Sequence, residues 1–193
     1  MSSLNCNRVA WLHINDAMLA DALAATLKRN FGQVVRNFQE QGRGEADGES
    51  PLLELFVCEI PAESPAEWDL FEATEESLDA ALEMHVAGPF FAMQEAAQLL
   101  GGKVEGSRRT MVLVAPAPVP TGPPPTRDAS CASVASEMLT KLWALRLAEE
   151  GVDVYEVRPA AGAQISHQAI ADAVAALAEG TLSYGSGNVL TVQ

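Results

Sequence analysis

"RDASCASVASEMLTKLWALRLAEEGVDVYEVRP" (Arg127–Pro159) joins a long amphipathic stretch to a short apolar run. It opens on seven small residues, Ala129–Ala135, which leave room for a close approach. From Met138 on, apolar residues recur three and four apart, the period of a helix face. Two stripes lie side by side: Met138, Leu142 and Leu145, then Leu139, Trp143 and Leu147. Glu137 and Lys141 stand one turn apart and can pair. A helix that rests on its own sheet and faces water needs one apolar stripe. Two stripes predict a second apolar partner, the alternative being a helix deeply buried within a monomer. "VDVYEVRP" then reads as a strand.

Working outward, "TMVLVA" (Thr110–Ala115) is an unbroken β run, which suits a strand covered on both faces. The "PAPVPTGPPPTR" between them reads as a stiff loop, with a polyproline recognition site as the alternative. Beyond Pro159 come a helix, "SHQAIADAVAALAEG" (Ser166–Gly180), and a last strand, "NVLTV".

Towards the amino terminus, "RVAWLHI" (Arg8–Ile14) is a strand and "DAMLADALAATLKRN" (Asp16–Asn30) a helix. Leu19, Leu23 and Leu27 recur every four residues. Asn15 or Asp16 can cap it by accepting from free backbone N–H groups. "GQVV" gives a second strand, Arg36–Pro51 a polar loop, and "LLELFVCEI" (Leu52–Ile60) a buried strand. Thr74, followed by Glu75 and Glu76, starts a helix with acids at the positive end of its dipole. Leu78, Leu82, Val86 and Phe90 form its stripe, and Gly88-Pro89 predicts a kink, because proline removes a donor and crowds the preceding turn. The order β-α-β-loop-β-α-β-α-β-α-β implies one α/β domain over 1–193, a doubly wound, Rossmann-like parallel sheet of about six strands. Ligands of such sheets sit at the carboxyl ends of the strands.

Composition narrows the function. The formal net charge of -14 and the pI near 4.5 disfavour nucleic acid and anionic membranes. No signal peptide and no membrane-length apolar run is visible, so a soluble, cytoplasmic protein is expected. Cys6, Cys58 and Cys131 are too few and too odd in number for a disulfide framework. With His13, His85 and His167 they make no zinc-ligand spacing, and no metal site is expected.

The order and its detail resemble the short-chain dehydrogenase/reductase family, most strongly from Leu52 to Pro159. "LDAALEMHVAGPFFAMQEAAQLL" (Leu78–Leu100) is similar to the family helix written around N-x-x-G-x-F. "TMVLVAPA" is similar to the strand that ends in the catalytic serine. "ASCASVASEMLTKLWALRLAEEGVDVYEVRPA" is similar to Y-x-x-x-K, its helix and the following strand. The resemblance implies that one strand and one helix of the family are missing between Val35 and Leu53, beside the adenosine site.

The resemblance also places the family's catalytic tetrad. The asparagine position falls on His85, the serine on Pro116, the tyrosine on Ala129 and the lysine on Ser133. None of the four carries the family's group. Ala129 and Pro116 have no side-chain proton to give, and Ser133 cannot supply a cation that lowers a phenol pKa. Independently of alignment, neither Tyr155 nor Tyr184 has a lysine four residues later. A pyrophosphate wants a glycine-rich turn at a helix start, but "HINDA" (His13–Ala17) stands there, with an acid. "CEIP" (Cys58–Pro61) replaces the family's N-N-A-G.

The resemblance therefore implies a non-catalytic subunit that binds no NAD itself and pairs with a catalytically competent homologue that does. The assembly is a hetero-oligomer, expected as a heterotetramer, acting on an alcohol or hydroxyacyl-CoA. Assemblies of one competent and one degenerate chain are known, and the chain resembles such a case, a hydroxyacyl-CoA dehydrogenase of anaerobic toluene degradation. In the family the two long helices build a four-helix interface between subunits. Here that face would draw on Val86, Phe90, Met138, Leu139, Leu142, Trp143, Leu145 and Leu147. The alternatives are a homomeric ligand-binding or regulatory protein using the old pocket, and an enzyme of other chemistry centred on His85, whose ordinary pKa lies near neutrality. Cys131 lacks a base nearby in sequence and reads as inert.

Overall fold

The structure, a computed structural model, describes residues 8–36, 52–61, 74–100, 108–117, 127–161, 166–182 and 184–193, with backbone alone at 52 and over 127–131. Cys6, most of the Arg36–Pro51 loop, most of the proline cluster, and the side chains of Ala129 and Cys131 lie outside the described residues.

Six strands form one sheet: β1 (Arg8–His13), β2 (Gln33–Arg36), β3 (Leu52–Glu59), β4 (Arg109–Val114), β5 (Val152–Pro159) and β6 (Val189–Val192). Their order is β2-β1-β3-β4-β5-β6, and every neighbouring pair is parallel. Among the described residues no strand lies beyond β2, which agrees with the shortened α/β sheet expected. The direction of chain travel reverses between β1 and β3, so the crevice at the carboxyl ends of those strands is the switch point of the fold.

Side chains alternate along each strand, and both faces are covered. Ala10, Leu12, Leu55, Val57, Val112 and Val157 pack beneath α1 (Ala17–Leu27) and α5 (His167–Glu179). Trp11, Phe56, Met111, Leu113 and Val154 pack on the other face, with Met93 of α3 (Gly88–Leu99) and Leu139, Trp143 and Leu147 of α4 (Arg127–Leu147). That is why the strands read as unbroken apolar runs instead of alternating ones. Trp11 and Phe56, four tenths of a nanometre and more apart at 4.7 Å between ring centroids, anchor this second layer.

The helix starts follow the capping signals. Asp16 caps α1, Ser166 caps α5, and Thr74 forms a reciprocal capping box with Ser77 at the start of α2 (Glu75–Leu82). The break expected at Gly88-Pro89 takes the form of a π turn over Glu83–Ala87, closed by the Gly88 N–H donating to the Glu83 carbonyl. Pro89 then stands in the first turn of α3, directly after the π turn.

The two stripes of α4 part company. Leu139, Trp143 and Leu147 are buried in the chain's own core, whereas Met138, Leu142 and Leu145 are exposed. The expectation that all six face another subunit is corrected: three are spent on the sheet beneath them. Val86 and Phe90 are half-buried, and the Phe90 ring lies 5.3 Å from that of Trp143, so Phe90 too leans on the core. Among the described residues no helix is long and apolar enough to cross a membrane.

Candidate functional site

The switch-point crevice is built from the β1–α1 turn, the ends of β3, β4 and β5, and the start of α5. It holds a cavity of about 120 Å³, lined by Asp16, Glu59, Ile60, Val114, Ala115, Pro116, Pro159 and His167 among others. Small-molecule pockets commonly run to roughly 300–1,000 Å³.

A helix of parallel peptide dipoles presents free N–H groups at its start, an anion site by construction. In this chain carboxylates fill it. Asp16 Oδ1 accepts from the backbone N–H groups of Met18 (2.8 Å) and Leu19 (3.1 Å). Glu59, on the last residue of β3, reaches across and accepts with Oε2 from the N–H groups of Asn15 (2.7 Å) and Asp16 (2.9 Å). Asp16 Oδ2 stands 3.3 Å from His167 Nε2, at the start of α5. The Leu19 N–H, with lesser help from Met18 and His167, holds the Asp16 carboxyl below the usual carboxylate range. His13, which ends β1, is pushed down by burial against the opposing pull of Glu95 and Glu59.

The four tetrad positions fall just past β4, in the π turn and on α4. Pro116 lines the crevice. His85 is buried in the π turn, against which α4 packs. Ser133 is buried on α4, and its Oγ accepts from Arg158 Nη1 at 2.9 Å. Only the backbone of Ala129 is described, in the first turn of α4.

Beneath Ser133 lies a pair that sequence reasoning missed. Glu156 of β5 is fully buried, with Arg158 Nη1 at 3.4 Å from its Oε1. Ser136, on the facing turn of α4, donates to the Ser133 carbonyl at 2.9 Å. Burial pushes the Glu156 carboxyl up to about 7, against the pull of Arg158. Glu59 and His167 were missed as well. The signal for Glu59 was an acid at the end of an apolar strand beside the switch point. Cys58, next to it, is buried and its thiol is pushed up to about 12, first by burial, so it stays protonated and unreactive. Among the described residues no group of three or more His, Cys, Asp or Glu side chains stands where it could hold a metal ion.

No family model and no curated protein matches the sequence. Solved structures do match in fold. The chain superposes on an enoyl-[acyl-carrier-protein] reductase (NADH) of Aquifex aeolicus with a TM-score of 0.70 at 15% identity, covering 98% of this chain and 96% of that one. A short-chain dehydrogenase of Mycobacterium smegmatis gives 0.69 at 17%, covering 100% and 95%. A doubly substituted short-chain dehydrogenase/reductase of Serratia marcescens gives 0.70 at 21%, covering 96% and 95%. The fold is therefore that of the short-chain dehydrogenase/reductase structures, in shortened form.

Proposed function

We propose that the chain is a member of the short-chain dehydrogenase/reductase family that has lost dinucleotide binding and proton transfer, and that it serves as a non-catalytic, cytoplasmic subunit beside an active homologue. The observation that carries this reading is the seat of Glu59 on the Asn15 and Asp16 amides. A nicotinamide dinucleotide needs amides of that kind for its pyrophosphate. Here a phosphate would have to expel one carboxylate and settle beside another, Asp16. The residues present do not fit the cofactor, and no hydride step is assigned to this chain. NAD and the alcohol or hydroxyacyl-CoA substrate belong to the partner's site.

Two further features support the reading. The tetrad positions offer no phenol, and Arg158 beside Ser133 is committed to Ser133 and Glu156. The fold and core are nonetheless intact, and the outward stripe of α4 stays apolar. A subunit kept for its surface has this profile.

The test has two arms. NADH fluorescence is titrated with the chain alone, and no enhancement or blue shift is expected. The chain is also co-expressed with a catalytic homologue from the same host and sized by light scattering, where a mixed oligomer is expected. Tight NADH binding, or a chain that stays monomeric beside every such homologue, sinks the proposal.

A further inference from the structure

Helix α4 rests on β5 through more than apolar contacts. It buries Ser133 and Ser136, and β5 sets Arg158 and the fully buried Glu156 against them. The bonds of this cluster are placed for an acid that keeps its proton. Ser136 has one hydroxyl proton and gives it to the Ser133 carbonyl at 2.9 Å, so it has none for the neighbouring Glu156. Arg158 aims Nη1 at Ser133 Oγ, 2.9 Å away, and stands off Glu156 Oε1 at 3.4 Å. Charge-assisted N–H···O bonds close to about 2.7–2.9 Å. Neither Glu156 oxygen accepts a hydrogen bond among the described residues. A buried carboxylate without donors is far costlier than a buried carboxylic acid. Both donors within reach of Glu156 are spent on one residue, Ser133.

Among the described residues, few charged or titratable groups surround Glu156. Arg158 shares its strand. Glu137 and Lys141 lie on α4, turned largely outward and paired with each other at 2.6 Å. The strand neighbours of Glu156 are Leu113 on β4 and Val189 on β6, and neither carries a charge. Helix α5 covers the other face of the sheet. Glu149 and Glu150 stand in the turn before β5, at its opposite end. The π turn on which α4 also packs buries His85. Burial raises the Glu156 carboxyl to about 7, so its proton leaves near neutrality.

We infer that Glu156 is a proton-operated latch on the amino-terminal half of α4. While Glu156 is neutral, Ser136 and Arg158 both hold Ser133. When Glu156 gives its proton to bulk water, Arg158 closes on the carboxylate and the Ser136 hydroxyl turns to it, and Ser133 loses both donors. A buried ion pair requires this exchange, because its attraction offsets desolvation only where further hydrogen bonds satisfy the charges. The part released is the small-residue start of the helix, Ala129–Ala135. Raising the pH through neutrality therefore loosens one end of α4, while Leu139, Trp143 and Leu147 keep the other end seated in the apolar core.

Nuclear magnetic resonance of the unmodified chain tests the latch. The Glu156 carboxyl carbon is followed across neutral pH together with the Arg158 Nε–H and the backbone amides of Ser133 and Ser136. All four are expected to move with one midpoint. Amide exchange, corrected for its intrinsic pH dependence, should show protection at Ser133 and Ser136 falling about tenfold or more as Glu156 ionises, with protection at Trp143 and Leu147 unchanged. Glu156→Gln keeps a neutral group in place, so it should remove the shared midpoint and hold the protection on the alkaline side. If that variant does not fold, Ser136→Ala carries the test: one latch bond is then missing at every pH, and the fall in protection should shrink. A Glu156 carbon that titrates while Ser133, Ser136 and Arg158 stay still overturns the inference, as does protection that is level across the range. A midpoint that persists in Glu156→Gln assigns the change to His85 and overturns it as well.

Discussion

Arg158 Nη1 donates to Ser133 Oγ at 2.9 Å, so a guanidinium from β5 reaches the α4 position where the family resemblance places an ammonium. The positive charge is thus retained in space but comes from a different element, and it is tied to a buried acid, Glu156. The site cannot simply be refilled. Ser133→Lys would press an ammonium against Arg158 in a buried place, and a cost of about 2–4 kcal/mol is expected. Chemical denaturation measures it. The double variant Ala129→Tyr/Ser133→Lys should still show no NAD-dependent turnover, because Glu59 continues to hold the amides of the β1–α1 turn and Asp16 those at the start of α1.

Those amides give a second expectation. Glu59→Ala removes one charged acceptor from two N–H groups, and hydrogen bonds to charged groups contribute about 1.5–3 kcal/mol. A loss of that order should appear in urea unfolding. The paired variant Asp16→Ser/Glu59→Ala should gain a rise in Tm with inorganic pyrophosphate that the unmodified chain lacks. Equal responses in the two proteins would count against Glu59 as the occupant of an anion site.

Glu156 sets a pH dependence of definite sign. Its carboxyl rises from an ordinary 4.5 to about 7 in the folded chain. Below 4.5 the proton is held in both states. Between 4.5 and 7 the folded chain holds it and the unfolded chain has lost it, so stability falls as pH rises through that window. The total is at most about 3 kcal/mol, flat above it. Glu156→Gln should flatten this slope and make the protein more stable than the unmodified chain at pH 8. A denaturation series at pH 5, 6, 7 and 8 decides the matter.

Leu139 and Leu145 differ in kind although both lie on α4. Leu139→Ala opens a cavity under the helix, and a cost of about 2–5 kcal/mol is expected. Leu145→Glu, on an exposed position, should shift stability by no more than about 0.5 kcal/mol while removing association with a partner. Differential scanning calorimetry of the two, beside sizing with the partner, separates core from surface.

The sequence carried the fold well, for a local reason. Continuous runs such as "TMVLVA" occur where both sheet faces are covered, and the caps at Asp16, Thr74 and Ser166 mark helix starts through bonds made within four residues. The site was half legible. Which residues stand in the β1–α1 turn and at position 133 could be read directly, since "HINDA" and Ser133 are local facts. Which groups meet them could not. Glu59 meets Asn15 and Asp16 across more than forty residues, and Arg158 meets Ser133 across 25. Nor could periodicity tell the buried stripe of α4 from the outward one, because each is equally apolar.

The π turn has a consequence for the stripe Leu78, Leu82, Val86 and Phe90. It closes on the fifth residue back instead of the fourth, so one extra residue is taken up inside the turn. Leu78 and Leu82 look outward, while Val86 and Phe90 turn partly towards the sheet. The bulge works as slack in an otherwise continuous rod. Removing one residue from Glu83–Ala87 would draw it into an ordinary α turn and leave the faces on either side where they are.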